Sequence, residues 1–218
     1  MHYLPITKTA RIETAGEVHA NIQDIWIVIH GYGQLVNYFI KHFDCLADEN
    51  TLVIAPEGLS RFYTDGFFGR VGASWMTKED RLIEIEDQQN YLNQVVSHFL
   101  SLCPKANLHL LGFSQGIATA WRWAGATPYP LASFTVWTGQ IPPNEFSDTL
   151  ITKLEKLPLF HVAATADEFI QMPQFEAQFS ILQAQFPQSQ MLIFEGKHTL
   201  DRATLLKIKE LASEDILK

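Results

Sequence analysis

The stretch "LLGFSQGIATAWRW" at residues 110–123 decides the fold class. Its first part is short and apolar, which is typical of a buried strand, and its last part has the length and apolar character of a buried helix. Between them, Gly112, Ser114 and Gly116 match the pattern G-x-S-x-G. Glycines two residues before and after a serine let the chain fold back sharply, which raises the hydroxyl above the end of the strand. The stretch therefore predicts a strand, a tight turn and a helix, with Ser114 at the turn.

The same alternation of strand and helix continues along the chain. Helical patterns fill the intervals between apolar runs, for example from about Asp80 to Leu102 and after Pro173. The apolar runs are continuous rather than alternating, which indicates central strands of a mostly parallel sheet with helices on both faces. Polar and apolar residues alternate on both sides of Ala15-Gly16, which instead predicts an antiparallel N-terminal hairpin at the sheet edge. The predicted strands of the α/β fold are 25–29, 51–55, 108–113, 133–138, 159–164 and 191–194.

Composition limits the function classes. The 218 residues are 47% hydrophobic and 12% aromatic, and because no composition shift divides them we expect a single domain over residues 1–218. A formal net charge of −8 argues against a nucleic-acid partner. No Cys or His spacing is typical of a metal site, so we expect neither a metal nor a cofactor. The N-terminus lacks the apolar region of a signal peptide and no run is long enough to span a bilayer, which predicts a cytoplasmic protein without an integral membrane segment.

Ser114 has two interpretations: a nucleophile, or an ordinary residue of a tight turn. A nucleophilic serine needs a base, an acid that orients the base, and backbone donors for an oxyanion. The sequence "HGYG" at residues 30–33 ends a predicted strand, and its glycines would let one backbone amide approach Ser114. The amide of Gln115 would be the second donor. The alternative is that this segment is only a strand-end turn and that His30 is a buried structural residue.

An acid and a histidine follow downstream, each after a predicted strand. Asp167 follows the strand 159–164, and His198 follows the strand 191–194. We prefer Asp167 to Glu168 as the acid because it comes first after the strand. In their alternative interpretations, Asp167 caps the next helix and His198 belongs to an ordinary loop. Because the carboxyl ends of parallel strands meet at one edge of a sheet, we expect both residues near Ser114.

Five short segments together resemble the carboxylesterase/phospholipase family, which includes the acyl-protein thioesterases and has an α/β-hydrolase fold. The resemblance extends from about Ile25 to the C-terminus. The "GFSQG" segment is its most specific element, because glutamine after the serine is usual in that family. The five segments, in chain order, are "VIHGYGQ", "APEGL", "GFSQG", "TADEF" and "GKHTL".

The resemblance implies a role for each matching residue. Ser114 would be the nucleophile, His198 the general base and Asp167 its orienting partner. The backbone amides of Tyr32 and Gln115 would form the oxyanion hole. The implied reaction is transfer of an acyl group to water, from a carboxylic ester or thioester that is a small or lipid-like molecule. The alternative, from a different class, is a binding protein of the same fold without turnover.

The chain departs from the family pattern in two places. Ile117 stands where family members usually have a further glycine, and Glu168-Phe169 stands where they commonly have a Pro-Val-type pair. The stretch 61–81 is also more aromatic than the resemblance predicts, so the substrate pocket does not transfer from the family.

Aromatic residues between 61 and 76 have three open interpretations. They could form a wall of the substrate site, with glycines that let the segment move. They could instead form a small core under a long loop, or contact a membrane surface or a second copy of the chain in a homodimer. The residues that we predict to contact substrate are Phe68, Trp75, Met76, Trp137 and Phe169.

Overall fold

The computed structural model describes residues 2–216 of the chain. All six predicted strands are confirmed, with ends that differ by at most one residue from the predicted ones. The strands are β1 Ile12–Ala15, β2 Asp24–Ile29, β3 Thr51–Pro56, β4 Ser60–Tyr63, β5 Val71–Ser74, β6 Asn107–Phe113, β7 Ser133–Trp137, β8 Leu159–Ala164 and β9 Gln190–Phe194. The helices are α1 Val36–Phe39, which continues as a 3-10 helix over Ile40–Phe43, α2 Arg81–Leu102, α3 Gly116–Ala126, α4 Asp148–Leu154, α5 Met172–Gln185 and α6 Arg202–Ile216.

Seven strands form one twisted sheet in the order β1-β3-β2-β6-β7-β8-β9. Every neighbouring pair is parallel except β1 and β3. At the end of β6, Gly112 lies opposite Ile29 of β2, and Phe113 lies opposite Trp137 of β7. The loops that follow the parallel strands therefore meet at one edge of the sheet, where parallel sheets place their ligand sites.

Both faces of the sheet are covered by hydrophobic cores. Successive residues of a strand point to opposite faces. Leu110 of β6 therefore packs in the core beneath α2 and α3, while Leu111 packs in the core beneath α1 and α6. This arrangement explains why the sequence of the central strands is continuously apolar rather than alternating.

The glutamine-rich segment after Pro173 is an amphipathic helix, as predicted. In α5, Phe175, Phe179 and Leu182 are buried and pack toward β8, while the glutamines lie mostly on the outer face. A capping box begins the helix, since the side chains of Gln171 and Gln174 each accept a hydrogen bond from the other's backbone amide.

The predicted N-terminal hairpin is correct in its edge position and its antiparallel direction, but wrong in its partner. β1 pairs with β3, with Ile12 opposite Pro56, and residues 17–21 form no strand. Gly16 has φ +96°, and a Cβ there would lie 2.9 Å from the carbonyl oxygen of Thr51. Local alternation of polar residues identifies a strand, but it does not identify a partner that lies some 40 residues further along the chain.

The aromatic stretch 61–76 contains a hairpin rather than a long loop. β4 and β5 pair antiparallel as a separate two-stranded sheet, with Ser60 opposite Ser74. Alternation is weak in both strands and glycines occur between and within them, so no period-two pattern predicts strands there. Among the helices of residues 2–216, none has the length and apolar character needed to cross a bilayer.

Candidate active site

Ser114 lies in a sharp turn between β6 and α3, in a backbone conformation that side chains rarely adopt. Its φ is +54°, in the left-handed region. The turn is held by two hydrogen bonds: the Ser114 amide donates to the Trp137 carbonyl at 3.0 Å, and the Ile117 amide donates to the Ser114 carbonyl at 3.1 Å. The strain is therefore supported by a neighbouring strand and by the first turn of the helix, as is typical of functional turns.

The two glycines of the motif allow the close packing that the turn requires. A Cβ at Gly112 would lie 2.8 Å from the Cα of Ile117 in α3. A Cβ at Gly116 would overlap the carbonyl oxygen of Ile29 and lie 2.6 Å from that of His30, at the end of β2. Both contacts involve backbone, which cannot rotate away as a side chain can.

We expect Gly116→Ala to lower the free energy of unfolding by about 1–3 kcal/mol, the usual cost of overpacking a tight site. The matched control is Gly125→Ala in the same helix, where the nearest atom to a new Cβ is at 3.5 Å. That control should leave stability unchanged or raise it by up to about 1 kcal/mol, because alanine favours a helix. Urea denaturation of both variants measures the difference, and equal stabilities would contradict the packing argument.

Three side chains from separate loops form one hydrogen-bonded series at the sheet edge. Ser114 Oγ lies 2.9 Å from His198 Nε2, and His198 Nδ1 lies 2.8 Å from Asp167 Oδ2. The Asp167 carboxylate is almost completely buried, and the His198 ring is 12% exposed. Asp167 accepts a hydrogen bond from the Nδ1–H group of His198. The neutral ring therefore has no proton on Nε2, which can accept a hydrogen bond from the serine hydroxyl.

The second carboxylate oxygen of Asp167 fixes the orientation of the first. Asp167 Oδ1 accepts hydrogen bonds from the backbone amides of Phe169 at 2.8 Å and Ile170 at 3.1 Å. Glu168 is exposed, and its Oε2 lies 3.5 Å from the backbone nitrogen of His198 rather than from the imidazole. The structure therefore places Asp167, and not Glu168, against the His198 ring.

Two backbone amides in the loops around Ser114 have no hydrogen-bond partner among the described residues. Gly31 packs against the serine, since a Cβ at Gly31 would lie 3.1 Å from Ser114 Cβ. Gln34 Oε1 accepts the Gly31 amide at 2.7 Å and holds the loop in place. Within residues 2–216, the amides of Tyr32 and Gln115 donate no hydrogen bond to another group of the protein. These are the two amides that the family resemblance implies as donors to an oxyanion, and that role stays a prediction.

The side chain of Gln115 has a role that sequence reasoning missed. Its Nε2 donates to the Met76 carbonyl at 3.1 Å, and its Oε1 accepts the Trp75 amide at 3.3 Å. Trp75 Nε1 in turn donates to the His30 carbonyl at 2.9 Å. The end of β5 is therefore attached both to the turn that carries Ser114 and to the loop after β2. The glutamine that follows the serine in the "GFSQG" segment was the sequence signal that could have suggested this side-chain role.

His30 is a buried structural residue, as its alternative interpretation held. Its Nε2 accepts the Gly58 amide at 2.9 Å, so its Nδ1–H donates to the Gly31 carbonyl at 2.7 Å. Burial lowers the pKa of His30 to about 4. The ring is therefore neutral at pH 7 and both of its nitrogens hold backbone groups of neighbouring loops.

His161 supports the loop that follows β7. Its Nε2 accepts a hydrogen bond from Gln178 Nε2 at 2.9 Å. The same glutamine amide donates to the Gly139 carbonyl at 3.1 Å, and its oxygen accepts the Ile141 amide at 3.0 Å. Burial lowers the pKa of His161 to about 3. A neutral imidazole and a glutamine of α5 thus hold the segment 138–143.

Stability is expected to fall as the pH decreases below about 6.5. His161 has a lower pKa when folded than when unfolded, so its contribution is complete above the unfolded value and is lost as the pH falls toward the folded value. The contribution of His161 to the free energy of unfolding falls by about 1.4 kcal/mol per pH unit, which amounts to about 2 kcal/mol between pH 6.5 and pH 5. Urea denaturation at these two pH values should show a smaller loss in His161→Gln than in the wild type.

The exposed His98 provides the matched control for this measurement. His98→Gln should retain the full pH-dependent loss of the wild type. An equal loss in His161→Gln and the wild type would mean that the His161 ring is already charged or hydrated in the folded protein.

A cavity of about 700 Å³ opens beside Ser114 and His198. It lies between the first turns of α3, the segment that follows β7, and the residues after Asp167. One part of its wall is apolar and another part carries charged side chains. The lining residues are Arg81, Ser114, Gln115, Ala118, Arg122, Thr138, Gly139, Gln140, Ile141, Pro142, Pro143, Glu145, Phe169, Ile170 and His198.

Only one of the five residues predicted to contact substrate lines this cavity. Phe169 is 69% exposed, and its ring centroid lies 4.7 Å from that of His198. Trp75 and Trp137 are buried in the two cores, and Phe68 is almost fully exposed in the connection between β4 and β5. Met76 is partly buried, and its sulfur lies 3.8 Å from an Arg122 nitrogen.

The other four do not line this cavity, because aromatic character does not tell which way a side chain points, and their contact with substrate stays a prediction. The segment 138–143 forms the wall instead. Its signal was its position directly after the strand 133–138, at the same sheet edge as Ser114.

Ile117, the departure from the family pattern, is fully buried in the core under α3. A Cβ at Gly139 would overlap the Ile117 Cδ1 atom. The missing glycine at position 117 is therefore accommodated by a glycine on the facing segment.

The strand order, the single antiparallel edge and the turn that carries Ser114 define an α/β-hydrolase fold. A model of the phospholipase/carboxylesterase family matches residues 9–214. The chain therefore belongs to this family of hydrolases, and the resemblance stated from the sequence is confirmed. A comparison with curated protein sequences finds no match.

Solved structures with the same fold include three esterase-type proteins. Acyl-protein thioesterase 2 from Zea mays superposes with a TM-score of 0.70 and 19% identity, covering 95% of this chain and 99% of that one. The esterase PE8 gives a TM-score of 0.69 and 19% identity over the same shares. The Bacillus cereus carboxylesterase gives 0.64 and 14%, with 94% of each chain covered.

Proposed function

We propose that this protein is a serine hydrolase that cleaves carboxylic esters or thioesters through an acyl-enzyme. The observation that carries the proposal is the hydrogen-bonded series from Asp167 through His198 to Ser114, which opens onto the cavity. Membership of the phospholipase/carboxylesterase family supports the same reaction class.

In the first step, Ser114 Oγ attacks the acyl carbonyl carbon while His198 Nε2 takes the hydroxyl proton. Asp167 stabilises the resulting imidazolium and keeps its orientation. The carbonyl π electrons move to the oxygen, which becomes negative. The amides of Tyr32 and Gln115 would donate to that oxygen, and each such donor lowers the barrier by about 3–4 kcal/mol in comparable sites.

In the second step, the bond between the carbonyl carbon and the leaving group breaks. His198 returns the proton to the departing alcohol or thiol, and the acyl group stays on Ser114 as an ester. Water then enters, gives a proton to His198 and attacks the acyl carbon, and the acid product leaves as Ser114 regains its proton.

The apolar part of the cavity is suited to the hydrocarbon part of a small or lipid-like acyl substrate. Ile141, Pro142 and Phe169 supply apolar surface next to the reacting serine. An acyl-protein thioesterase and a carboxylesterase share the fold, so both esters and thioesters belong in the substrate panel.

A fluorophosphonate probe tests the proposal directly, because it reacts with an activated serine and forms a stable adduct. We expect one adduct on the folded protein, located by tandem mass spectrometry on the peptide that contains Ser114, and none after heat denaturation. The rate of hydrolysis of p-nitrophenyl esters and acyl thioesters should fall in proportion to the fraction of the protein that is labelled. A folded but unlabelled and inactive protein would instead indicate a binding protein with the same fold.

A further inference from the structure

A group of charged side chains lines the part of the cavity formed by α3 and the start of α2. Arg122 holds Glu145 through two hydrogen bonds, Nε to Oε2 at 2.7 Å and Nη2 to Oε1 at 2.9 Å. Arg81 Nη2 also donates to Glu145 Oε1 at 2.9 Å. Two guanidinium groups therefore share one carboxylate, which leaves the Arg81–Arg122–Glu145 cluster with a formal charge of +1.

Arg122 keeps donor capacity although it is nine-tenths buried. Its side chain is 10% exposed, and within residues 2–216 the sole hydrogen-bond partner of its Nη1 is the Met76 sulfur at 3.8 Å. A thioether is a weak acceptor, whereas a buried guanidinium nitrogen normally has an oxygen partner. Arg81 is half-exposed and uses one nitrogen on Glu145. Both side chains can therefore donate further hydrogen bonds to an anion in the cavity.

The cluster lies in line with the reacting serine along α3. Gln115, Ala118 and Arg122 are spaced by three and four residues, so they share one face at the start of the helix, and all three line the cavity. A rise of about 1.5 Å per residue places Arg122 about 10 Å along the helix axis from Gln115. An extended molecule can span this distance with its carbonyl at Ser114 and its far end at the cluster.

We propose that the Arg81–Arg122–Glu145 cluster binds an anionic group of the substrate and so selects anionic esters or thioesters over neutral ones. The anion is a carboxylate or a phosphate, because guanidinium groups match the oxygen geometry of both. The chain as a whole has a formal charge of −8, so attraction to an anion is a local property of this cavity. This inference rests on the proposed hydrolase function and names the substrate class for the same site.

Paired substrates of equal chain length test the selection. The p-nitrophenyl ester of octanoic acid ends in a methyl group, and the mono-p-nitrophenyl ester of suberic acid ends in a carboxylate. We expect the wild type to have the higher kcat/KM for the suberate ester, with the difference in KM rather than kcat. A third ester that ends in a phosphate, compared with the suberate ester, shows which anion the site prefers.

Arg81→Gln should lower the ratio of the two kcat/KM values about tenfold, the effect of losing one charge-assisted hydrogen bond. Arg81 is the better variant because its half-exposed side chain can be removed without burying an unpaired group. Arg202→Gln, which removes an exposed arginine outside the cavity lining, should keep the wild-type ratio. Added NaCl should reduce the preference in the wild type more than in Arg81→Gln.

Failure of this inference can be distinguished from failure of the proposed function. Equal kcat/KM for both esters, unaffected by Arg81→Gln, would overturn the anion site while ester hydrolysis stands. If neither ester is cleaved and the fluorophosphonate probe does not label Ser114, the hydrolase proposal fails, and calorimetric titration still decides the anion site. Ser114→Ala should then bind monomethyl suberate more tightly than methyl octanoate, and equal binding would overturn the inference.

Discussion

Ser114→Ala is expected to lower kcat for a p-nitrophenyl ester by about 10⁶-fold, the loss seen when the nucleophile of a serine hydrolase is removed. The hydroxyl lies 2.9 Å from His198 Nε2 and is presented by a strained turn, so no other group of the site replaces it. If the proposal is right, the remaining activity would come from the amides of Tyr32 and Gln115, which would still bind the carbonyl oxygen while water attacks directly.

The matched control for this experiment is Ser180→Ala. Its hydroxyl donates to the Glu176 carbonyl within the same helix and takes no part in the site. Turnover of the control should equal that of the wild type, measured by release of p-nitrophenolate under saturating substrate. A Ser114→Ala variant that kept more than about one hundredth of the wild-type kcat would show that another group acts as the nucleophile.

Asp167→Asn should lower kcat about 10⁴-fold without unfolding the protein, as in other enzymes in which the acid of such a series loses its charge. The geometry gives the reason. Asp167 Oδ1 accepts two backbone amides, so an asparagine keeps its oxygen there and turns its NH₂ group toward His198. The ring must then accept at Nδ1 and carry its proton on Nε2, where it can no longer take the proton of Ser114.

Glu168→Gln tests the neighbouring carboxylate in the same assay. Its oxygen lies near the His198 backbone nitrogen and not near the ring, so we expect a change of less than about twofold in kcat. Circular dichroism should show that both variants are folded. The opposite result, with the large loss in Glu168→Gln, would mean that the substrate-bound enzyme uses Glu168 as the acid.

Most of the sheet could be predicted from the sequence because it depends on signals that are local. Six continuous apolar runs gave the central strands, and Gly112 and Gly116 gave the turn. Ser114, Asp167 and His198 were placed together by one rule, that loops after parallel strands share an edge. The structure brings these three side chains within hydrogen-bond distance of one another.

The lining of the cavity beside Ser114 and the partner of β1 could not be predicted, because they depend on the direction in which side chains point and on pairing between distant segments. Trp75 and Trp137 are as aromatic as Phe169, yet only Phe169 points into the cavity. The sequence around Arg122 predicts only an apolar helix, and the position of Glu145 in the structure shows that the two residues form a charged cluster. Neither fact is encoded in a short window of sequence.

Uncharged amide side chains hold the loops around Ser114. Gln34 holds Gly31, Gln115 holds the end of β5, and Gln178 holds Gly139 and Ile141. A carboxylate in any of these places would gain a proton in mild acid, whereas an amide has the same hydrogen-bonding groups across that range. Between pH 5 and pH 8 the shape of the active site should therefore stay constant, and a pH profile of turnover would report proton transfer by the reacting groups themselves rather than movement of the loops.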